Sequence, residues 1–328
     1  MGLRVHFSHA GAAAYLPNLR SLLDPGIIVT AGPELREGQQ VDILVNGHPQ
    51  RQDLLACPHL QALILPAAGV PADTLALMAE FPQVSLHNMH HNDAATAESA
   101  LALLLAAAKW IVPIDRAFRR HDWTPRYQPP PITLLDGSTA LLLGYGAIGR
   151  RLARACQALG MTVLATRRRA DAVADDGVAE VHPAADLPSL LPRAQVLLIT
   201  LPLTPETEGL IGPTELALLP PGAVLVNVGR GAIVDEAGLY QALHEGRLAA
   251  AGLDVWWRYP QDKAERAHTP PSAYPFHELD NVVMSPHRAG MGGVDDLERR
   301  RYALLAVTLH QAARGQPLPN RVDPSRGY

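Results

Sequence analysis

Cysteine is nearly absent from this chain. Only Cys57 and Cys156 occur in 328 residues, and neither has the paired spacing of a thiol metal site or a redox motif. A disulfide scaffold is therefore excluded as the organising principle, and a reducing cytoplasm is expected. Cys156 falls in a helical stretch and reads as a small buried residue. Basic stretches are short: arginine clusters near 119, 167 and 299 stand against a net charge of −4, so no nucleic-acid surface is expected. No cationic region followed by an apolar core opens the sequence, so no signal peptide is expected. A myristoylation start is disfavoured by His6, which stands where serine or threonine is wanted. The apolar stretch Ala100–Ala108, flanked by Glu98 and Lys109, is too short to span a bilayer and reads as a buried helix. No membrane partner and no metal are expected. The adjacent His90 and His91 lack a third ligand at suitable spacing, which leaves them to touch substrate or simply to cap and pack.

What the chain does have is the run Ala140-Leu-Leu-Leu-Gly144-Tyr-Gly146-Ala-Ile-Gly149-Arg150. It reads as an apolar strand, a G-x-G-x-x-G turn and a helix. Gly144 permits the turn, Gly146 lets a pyrophosphate approach the backbone, and Gly149 lets the helix pack closely on its strand. The helix N-terminus offers free N–H groups to phosphates. Glycine clusters also mark ordinary turns, but here a second strand follows at Met161–Thr166, which is the context a dinucleotide site needs. An acidic residue at the end of that second strand would hold the ribose hydroxyls of NAD. The sequence there is Thr166-Arg167-Arg168-Arg169. Guanidiniums suit a 2′-phosphate, so NADP(H) is favoured with NAD(H) possible; the bland alternative is a solvated basic loop.

With 48% apolar and 18% charged residues, the length suits two globular domains. Short strands at Arg4–Ser8, Ile27–Thr30, Val41–Asn46, Leu60–Leu65 and Val84–Asn88 alternate with helices near 14–23, 51–56 and 72–80, which predicts a small flavodoxin-like parallel sheet. A long helix is predicted over 93–119, capped by Asp93 and kinked or divided at Pro113. Pro125–Pro131 reads as an extended connection. Six strands are then expected between 140 and 285, with helices at Leu187–Leu191, Pro213–Leu218 and Asp235–Glu245. A last helix is expected at Val294–Ala313. The fold class is thus α/β, with two doubly wound parallel-sheet domains: a Rossmann domain (93–293) inserted into a flavodoxin-like substrate domain (1–92 plus 294–328). Hinge helices near 93–119 and 294–313 would border a cleft.

Strand ends carry the candidate chemistry. Arg230, between Gly229 and Gly231, has a mobile backbone and a forked cation suited to a carboxylate and a polarised carbonyl; a surface ion pair is its plain alternative. His287, after a Ser-Pro strand stop, is a candidate proton donor. Asp254 either accepts a bond from a nicotinamide carboxamide or caps the loop that follows. Trp256, Trp257, Tyr259, Tyr274 and Phe276 concentrate aromatics in a chain with only 5% of them, as an ordered lid, a dimer contact or a wall of the substrate pocket.

Together Leu143-Gly-Tyr-Gly-Ala-Ile-Gly149, Leu201-Pro-Leu-Thr-Pro-Glu-Thr207, Val226-Asn-Val-Gly-Arg-Gly-Ala-Ile-Val-Asp235, Gly252-Leu-Asp-Val255 and Ser285-Pro-His287 resemble the D-isomer-specific 2-hydroxyacid dehydrogenase family, glyoxylate/hydroxypyruvate reductases included. The resemblance covers nearly the whole chain. It implies hydride transfer between NADP(H) and a 2-keto or 2-hydroxy acid in a homodimer. It places catalysis at Arg230 and His287, and substrate carboxylate binding at Ala68 and Gly69 together with Arg230 and His287. Cofactor contacts are implied at Gly144, Gly146, Ala147, Ile148, Gly149, Thr166, Arg167, Arg168, Leu201, Pro202, Thr207, Val228, Gly229, Asp254 and Gly290. One departure stands out. The family has a glutamate partner for the histidine five residues after the aspartate, where this chain has Tyr259 before Pro260. Tyr259 is carried forward as a catalytic candidate. Loss of the anion predicts a lowered histidine pKa, unless Asp262, Glu265 or Glu278 substitutes. Two other functions stay open: a proton-independent oxidation of another small anion, and a non-catalytic dinucleotide sensor.

Overall fold

A computed structural model describes residues 2–8, 16–33, 35–168, 176–291 and 294–327. The chain divides into two compact units, Met1–Asn92 with Gly292–Tyr328, and Asp93–Met291.

The first unit is built on β1 (Leu3–Phe7), β2 (Ile27–Ala31), β3 (Ile43–Val45), β4 (Ala62–Ile64) and β5 (Ser85–His87). They are parallel and lie in the order β2-β1-β3-β4-β5, the flavodoxin arrangement. Side chains alternate between two apolar layers, as a sheet covered on both faces requires. Val5, Ile43, Val45 and Ile64 pack with Leu305 and Leu309 of the helix Val294–Ala313, whereas Leu44, Leu63 and Leu86 pack with Leu54, Met78 and Phe81. A further strand unforeseen in the sequence, Arg321–Val322, pairs antiparallel with β5 at the edge. It is two residues long, too short for any periodicity. Buried His87 fastens it by donating from Nδ1 to the Pro319 carbonyl at 2.7 Å.

Among the described residues the second unit holds seven parallel strands where the sequence predicts six. They are β6 (Thr139–Leu143), β7 (Thr162–Arg167), β8 (Glu180–Pro183), β9 (Val196–Ile199), β10 (Ala223–Asn227), β11 (Leu248–Leu253) and β12 (Val282–Met284), in the order β12-β11-β10-β9-β6-β7-β8. This is the doubly wound nucleotide-binding order with one added edge strand. The unforeseen strand is β8. It carries Glu180, His182 and Pro183 with partial exposure throughout, which an edge position tolerates and a pattern search does not find. Alternation again divides the core: Leu141, Leu143, Leu197 and Ile199 face one layer, and Ala140, Leu142, Val196 and Leu198 face the other.

The stretch predicted as one long helix is two, Asp93–Ala108 and Ile111–Phe118, bent by 65°. The break is at Trp110, whose φ is 54°, and not at Pro113. Pro113 sits in the first turn of the second helix, where its missing N–H costs nothing. The first helix buries Ala100, Leu103, Leu104 and Ala107 in the sheet's second layer. It lies so close that a Cβ on Gly252 would come within 2.8 Å of Leu103 Cβ. No single helix among the described residues is long and apolar enough to cross a membrane. The Pro125–Pro131 connection departs from a fully extended form by a short helix, Thr124–Tyr127.

Candidate active site

Because the strands of the second unit are parallel, the ends of β6, β9, β10, β11 and β12 meet along one edge of the sheet. Every candidate of this unit outside the β7 end lies there, beginning with the glycine turn. Gly144 has φ 103°, and a Cβ there would press on Thr200 Oγ1 at 2.8 Å. That hydroxyl holds the turn by donating to the Leu143 and Gly144 carbonyls, both at 3.1 Å. Gly149 is required by packing, since its Cβ would run into the Gly144 carbonyl oxygen. At Gly146 nothing among the described residues lies within 4 Å of an added Cβ. Gly146 and Ala147 are exposed, Ile148 is half-buried, and no side chain caps the helix Ala147–Ala158. Open space beside uncapped N–H groups is what a dinucleotide phosphate fits.

Near the end of β7 buried Thr166 accepts the Gly144 N–H on its carbonyl at 3.2 Å; half-buried Arg167 ends the strand and exposed Arg168 follows. Arg169 lies outside the described residues. Beyond β9, Leu201 and Pro202 lead into a loop tied by Thr207, whose Oγ1 donates to Pro202 O at 2.7 Å and accepts Thr204 N–H at 2.8 Å. Val228 is buried, its N–H bonded to Ile199 O.

Arg230 follows β10, and its glycines correct the sequence reading. They are there for close packing, not for mobility. A Cβ on Gly229 would lie 2.6 Å from the Leu201 carbonyl oxygen, and one on Gly231 would collide with the Trp256 backbone. The buried amide of Asn227, a residue the sequence reading passed over, braces this turn. It accepts Gly229 N–H and donates to Arg230 O, each at 3.0 Å. Arg230 Nη1 donates to Gly229 O at 2.7 Å. Burial holds the guanidinium's pKa below its usual value, but the group keeps its charge at any physiological pH.

Asp254, 1% exposed, follows β11. Its carboxylate accepts Ser285 Oγ at 2.5 Å, Arg288 N–H at 2.7 Å and Ala289 N–H at 2.9 Å. These bonds hold the 285–289 loop, distant in sequence, and not the directly following loop that the sequence reading had Asp254 cap. Gly290 ends that loop, half-buried. His287 projects from it with φ 56°, a left-handed conformation that costs energy and persists only where the surroundings impose it. Partial desolvation and then the Arg230 charge lower its pKa, against the opposing pull of Asp254.

The Tyr259 ring lies 5.5 Å from the His287 ring, tilted by 57°. Its hydroxyl accepts the Trp256 N–H at 3.2 Å. Burial first, and Asp254 as a lesser cause, raise the phenol's pKa, so the side chain stays neutral beside the histidine. The carboxylates considered as substitutes are engaged elsewhere. Asp262 and Glu265 accept N–H groups of their own loop, and Glu278 faces His277.

Several aromatics of the loop after β11 pack on one another. Trp256 and Phe276 are core residues, and Trp257 stacks on Phe276 with centroids 5.6 Å apart. Tyr274 stacks on Tyr240 at 5.3 Å.

In the first unit, the loop bearing Ala68 and Gly69 is pinned by Asn88 Nδ2, which donates to Ala68 O at 2.6 Å, and by Met89 N–H to Ala67 O. His91 is buried and accepts from Arg301 Nε at 3.2 Å, so it packs within this unit; His90 is half-buried.

Residues 101–289 match the model of the D-isomer specific 2-hydroxyacid dehydrogenase NAD binding domain. A glyoxylate/hydroxypyruvate reductase B of Pectobacterium atrosepticum is 33% identical over 92% of this chain and 88% of its own. A D-3-phosphoglycerate dehydrogenase of Archaeoglobus fulgidus is 35% identical over 79% of this chain but only 47% of its own length. Among solved structures, a D-isomer specific 2-hydroxyacid dehydrogenase from Xanthobacter autotrophicus in complex with NADPH and MES superposes with a TM-score of 0.81, at 28% identity and full coverage of both chains. The signature of the cofactor domain and the near full-length match agree: the chain belongs to the D-isomer specific 2-hydroxyacid dehydrogenase family of NAD(P)-dependent oxidoreductases.

Proposed function

We propose that this chain is an NADP(H)-preferring reductase of short 2-keto acids, catalysing 2-hydroxy-acid oxidation in reverse. The carrying observation is the placement of Arg230 and His287 after β10 and β12, on the sheet edge that also bears the Gly144–Gly149 turn. A bound nicotinamide supplies the hydride. Arg230 binds the substrate carboxylate and polarises the keto oxygen. The His287 imidazolium gives its N–H proton to that oxygen as the alcohol forms. In the reading carried from the family, Ala68 and Gly69 bind the carboxylate through backbone N–H groups, and the unit they belong to is the substrate domain. Glycine-turn residues 144–149 and Leu201, Pro202, Thr207, Val228, Gly229 and Gly290 hold the dinucleotide. Asp254 acts on it through the 285–289 loop that it clamps. Arg167 and Arg168, with no carboxylate at the β7 end, favour a 2′-phosphate; the Xanthobacter relative's complex with NADPH supports the same preference. The test is oxidation of NADPH and NADH followed with glyoxylate, hydroxypyruvate and pyruvate. Turnover fastest with NADPH supports the assignment, and binding of dinucleotide with no turnover on any acid rejects it.

The pH profile follows from His287. Reduction needs the protonated ring, and the ring's pKa is lowered. Activity therefore falls as pH rises through a value below the ordinary histidine pKa of about 6.5. Tyr259→Glu should restore an anion beside the imidazole and move the alkaline limb of kcat/KM up by about one pH unit. An unmoved limb would remove Tyr259 from the account.

The enzyme is further read as a cytoplasmic homodimer. Both cysteines are free and buried, in keeping with a reducing compartment. Phe118, Trp123, Tyr127 and Leu134 are 52%, 57%, 75% and 72% exposed within one short stretch, an apolar surface suited to a second copy. The double variant Phe118→Asp, Trp123→Asp should run as a monomer by light scattering; a persisting dimer would place the interface elsewhere.

A further inference from the structure

Trp256, shortly after the end of β11, is 5% exposed and packs against Phe276 in the core, ring centroids 6.2 Å apart. A phenylalanine would fill such a place without a polar atom that must be satisfied. The indole N–H has a specific partner: Nε1 donates to the Ser285 carbonyl at 2.8 Å. That carbonyl also accepts the His287 N–H at 3.1 Å, across Pro286. One acceptor thus joins a core side chain to the backbone of the candidate proton donor. On the far side of His287, Asp254 accepts the N–H groups of Arg288 and Ala289. His287 is therefore held from both directions, by an indole before it and a carboxylate after it. Its φ of 56° needs such restraint, because a histidine left free relaxes out of the left-handed region. Trp256 reaches the other two candidate residues through its backbone. Its N–H donates to the Tyr259 hydroxyl at 3.2 Å, and its carbonyl is the wall that a Cβ on Gly231, next to Arg230, would strike.

We propose that Trp256 is a positioning residue for proton transfer: its indole N–H, by holding the Ser285 carbonyl, sets where the His287 imidazole stands relative to the Arg230 fork. The inference rests on the reading of His287 as the proton donor. The indole acts through geometry alone. It is a neutral donor, so it leaves the field at the ring to Arg230 and Asp254. Without its bond the Ser285 carbonyl loses its anchor in the core, the peptide ahead of Pro286 can turn, and the imidazole moves with it. Proton transfer needs the donor within hydrogen-bond reach and correctly aimed, so the displacement falls on kcat. Dinucleotide binding, assigned to the Gly144–Gly149 turn, does not depend on this bond.

The test is a double-mutant cycle on kcat for keto-acid reduction by NADPH, in wild type, Trp256→Phe, His287→Gln and the double variant. Titration of NADPH, followed by the cofactor's own emission, supplies a readout independent of turnover. Trp256→Phe should lower kcat about tenfold and leave the Kd for NADPH unchanged. In the His287→Gln background the same change should lower the residual kcat by less than about twofold, because the group that the indole positions is gone. A merely structural role costs the same factor in both backgrounds. That result, or an unchanged kcat in Trp256→Phe, overturns the proposal while leaving His287 as the proton donor. His287→Gln turning over at the wild-type rate overturns both. If Trp256→Phe does not fold, a benzothiophene in place of the indole at 256, introduced by nonsense suppression, keeps the shape and removes only the N–H. The same factors are expected of it, and an unchanged kcat there rejects the proposal.

Discussion

Replacing Arg230 with lysine should lower kcat/KM for keto-acid reduction by about 10²–10³-fold while dinucleotide binding stays near the wild-type value. The substitution keeps the formal charge, so the expected loss comes from geometry and burial. A planar fork can hold a carboxylate and a keto oxygen at once, whereas an ammonium is a point charge on a flexible stem. The turn is built to aim that fork. The Asn227 amide bonds both sides of it, and only glycine fits at 229 and 231, because the Leu201 carbonyl and the Trp256 backbone leave no room for a Cβ. Desolvation, which already lowers the guanidinium's pKa, bears harder on a lysine, whose ammonium loses its proton far more readily. Steady-state kinetics combined with a fluorescence titration of NADPH separates the two quantities. A loss smaller than about tenfold would mean that Arg230 is not the group that polarises the carbonyl.

Alanine at two glycines of one turn should give opposite results. At Gly149 the new Cβ meets the Gly144 carbonyl oxygen, so the helix must lift from β6. The expected cost is about 3 kcal/mol, a fall in Tm of roughly 6–12 °C, with dinucleotide binding lost as well. At Gly146 the Cβ enters open space, and φ −92° with ψ −154° suits alanine. Tm should not move, yet dinucleotide affinity should fall at least about tenfold, because the methyl stands where a phosphate approaches the backbone. Thermal unfolding with and without NADPH reads both effects. A Gly146→Ala protein that binds NADPH normally would remove the phosphate role from this turn.

The glycine turn, the strands and the candidate residues Arg230 and His287 were legible because buried parallel strands are continuous apolar runs and their ends are marked by Gly, Pro or a polar residue. Where that signal weakens, legibility fails. β8 has a glutamate, a histidine and a proline in four residues, and the strand Arg321–Val322 has no length to show a period. Pro113 points to a helix break because proline is the known breaker, but a first-turn proline is harmless and the αL residue is Trp110. For the candidate residues, their positions at strand ends were legible and their partners were not. That Asp254 reaches Ser285, Arg288 and Ala289, or that Gly231 abuts Trp256, depends on contacts between segments far apart in sequence, which no local pattern encodes.

Asp254 separates two duties that a histidine's acidic partner can combine. By clamping the 285–289 loop it fixes where the imidazole stands, and as a nearby carboxylate it opposes the lowering of the ring's pKa by burial and Arg230. Position 259, 39% exposed, has a lighter part in that frame, its hydroxyl accepting the Trp256 N–H. On the proposed role of His287, exchanging this side chain should retune the operating acidity of the reaction while the frame that aims the proton stays in place, so that residue 259 would serve as a dial for adapting the enzyme to a chosen medium.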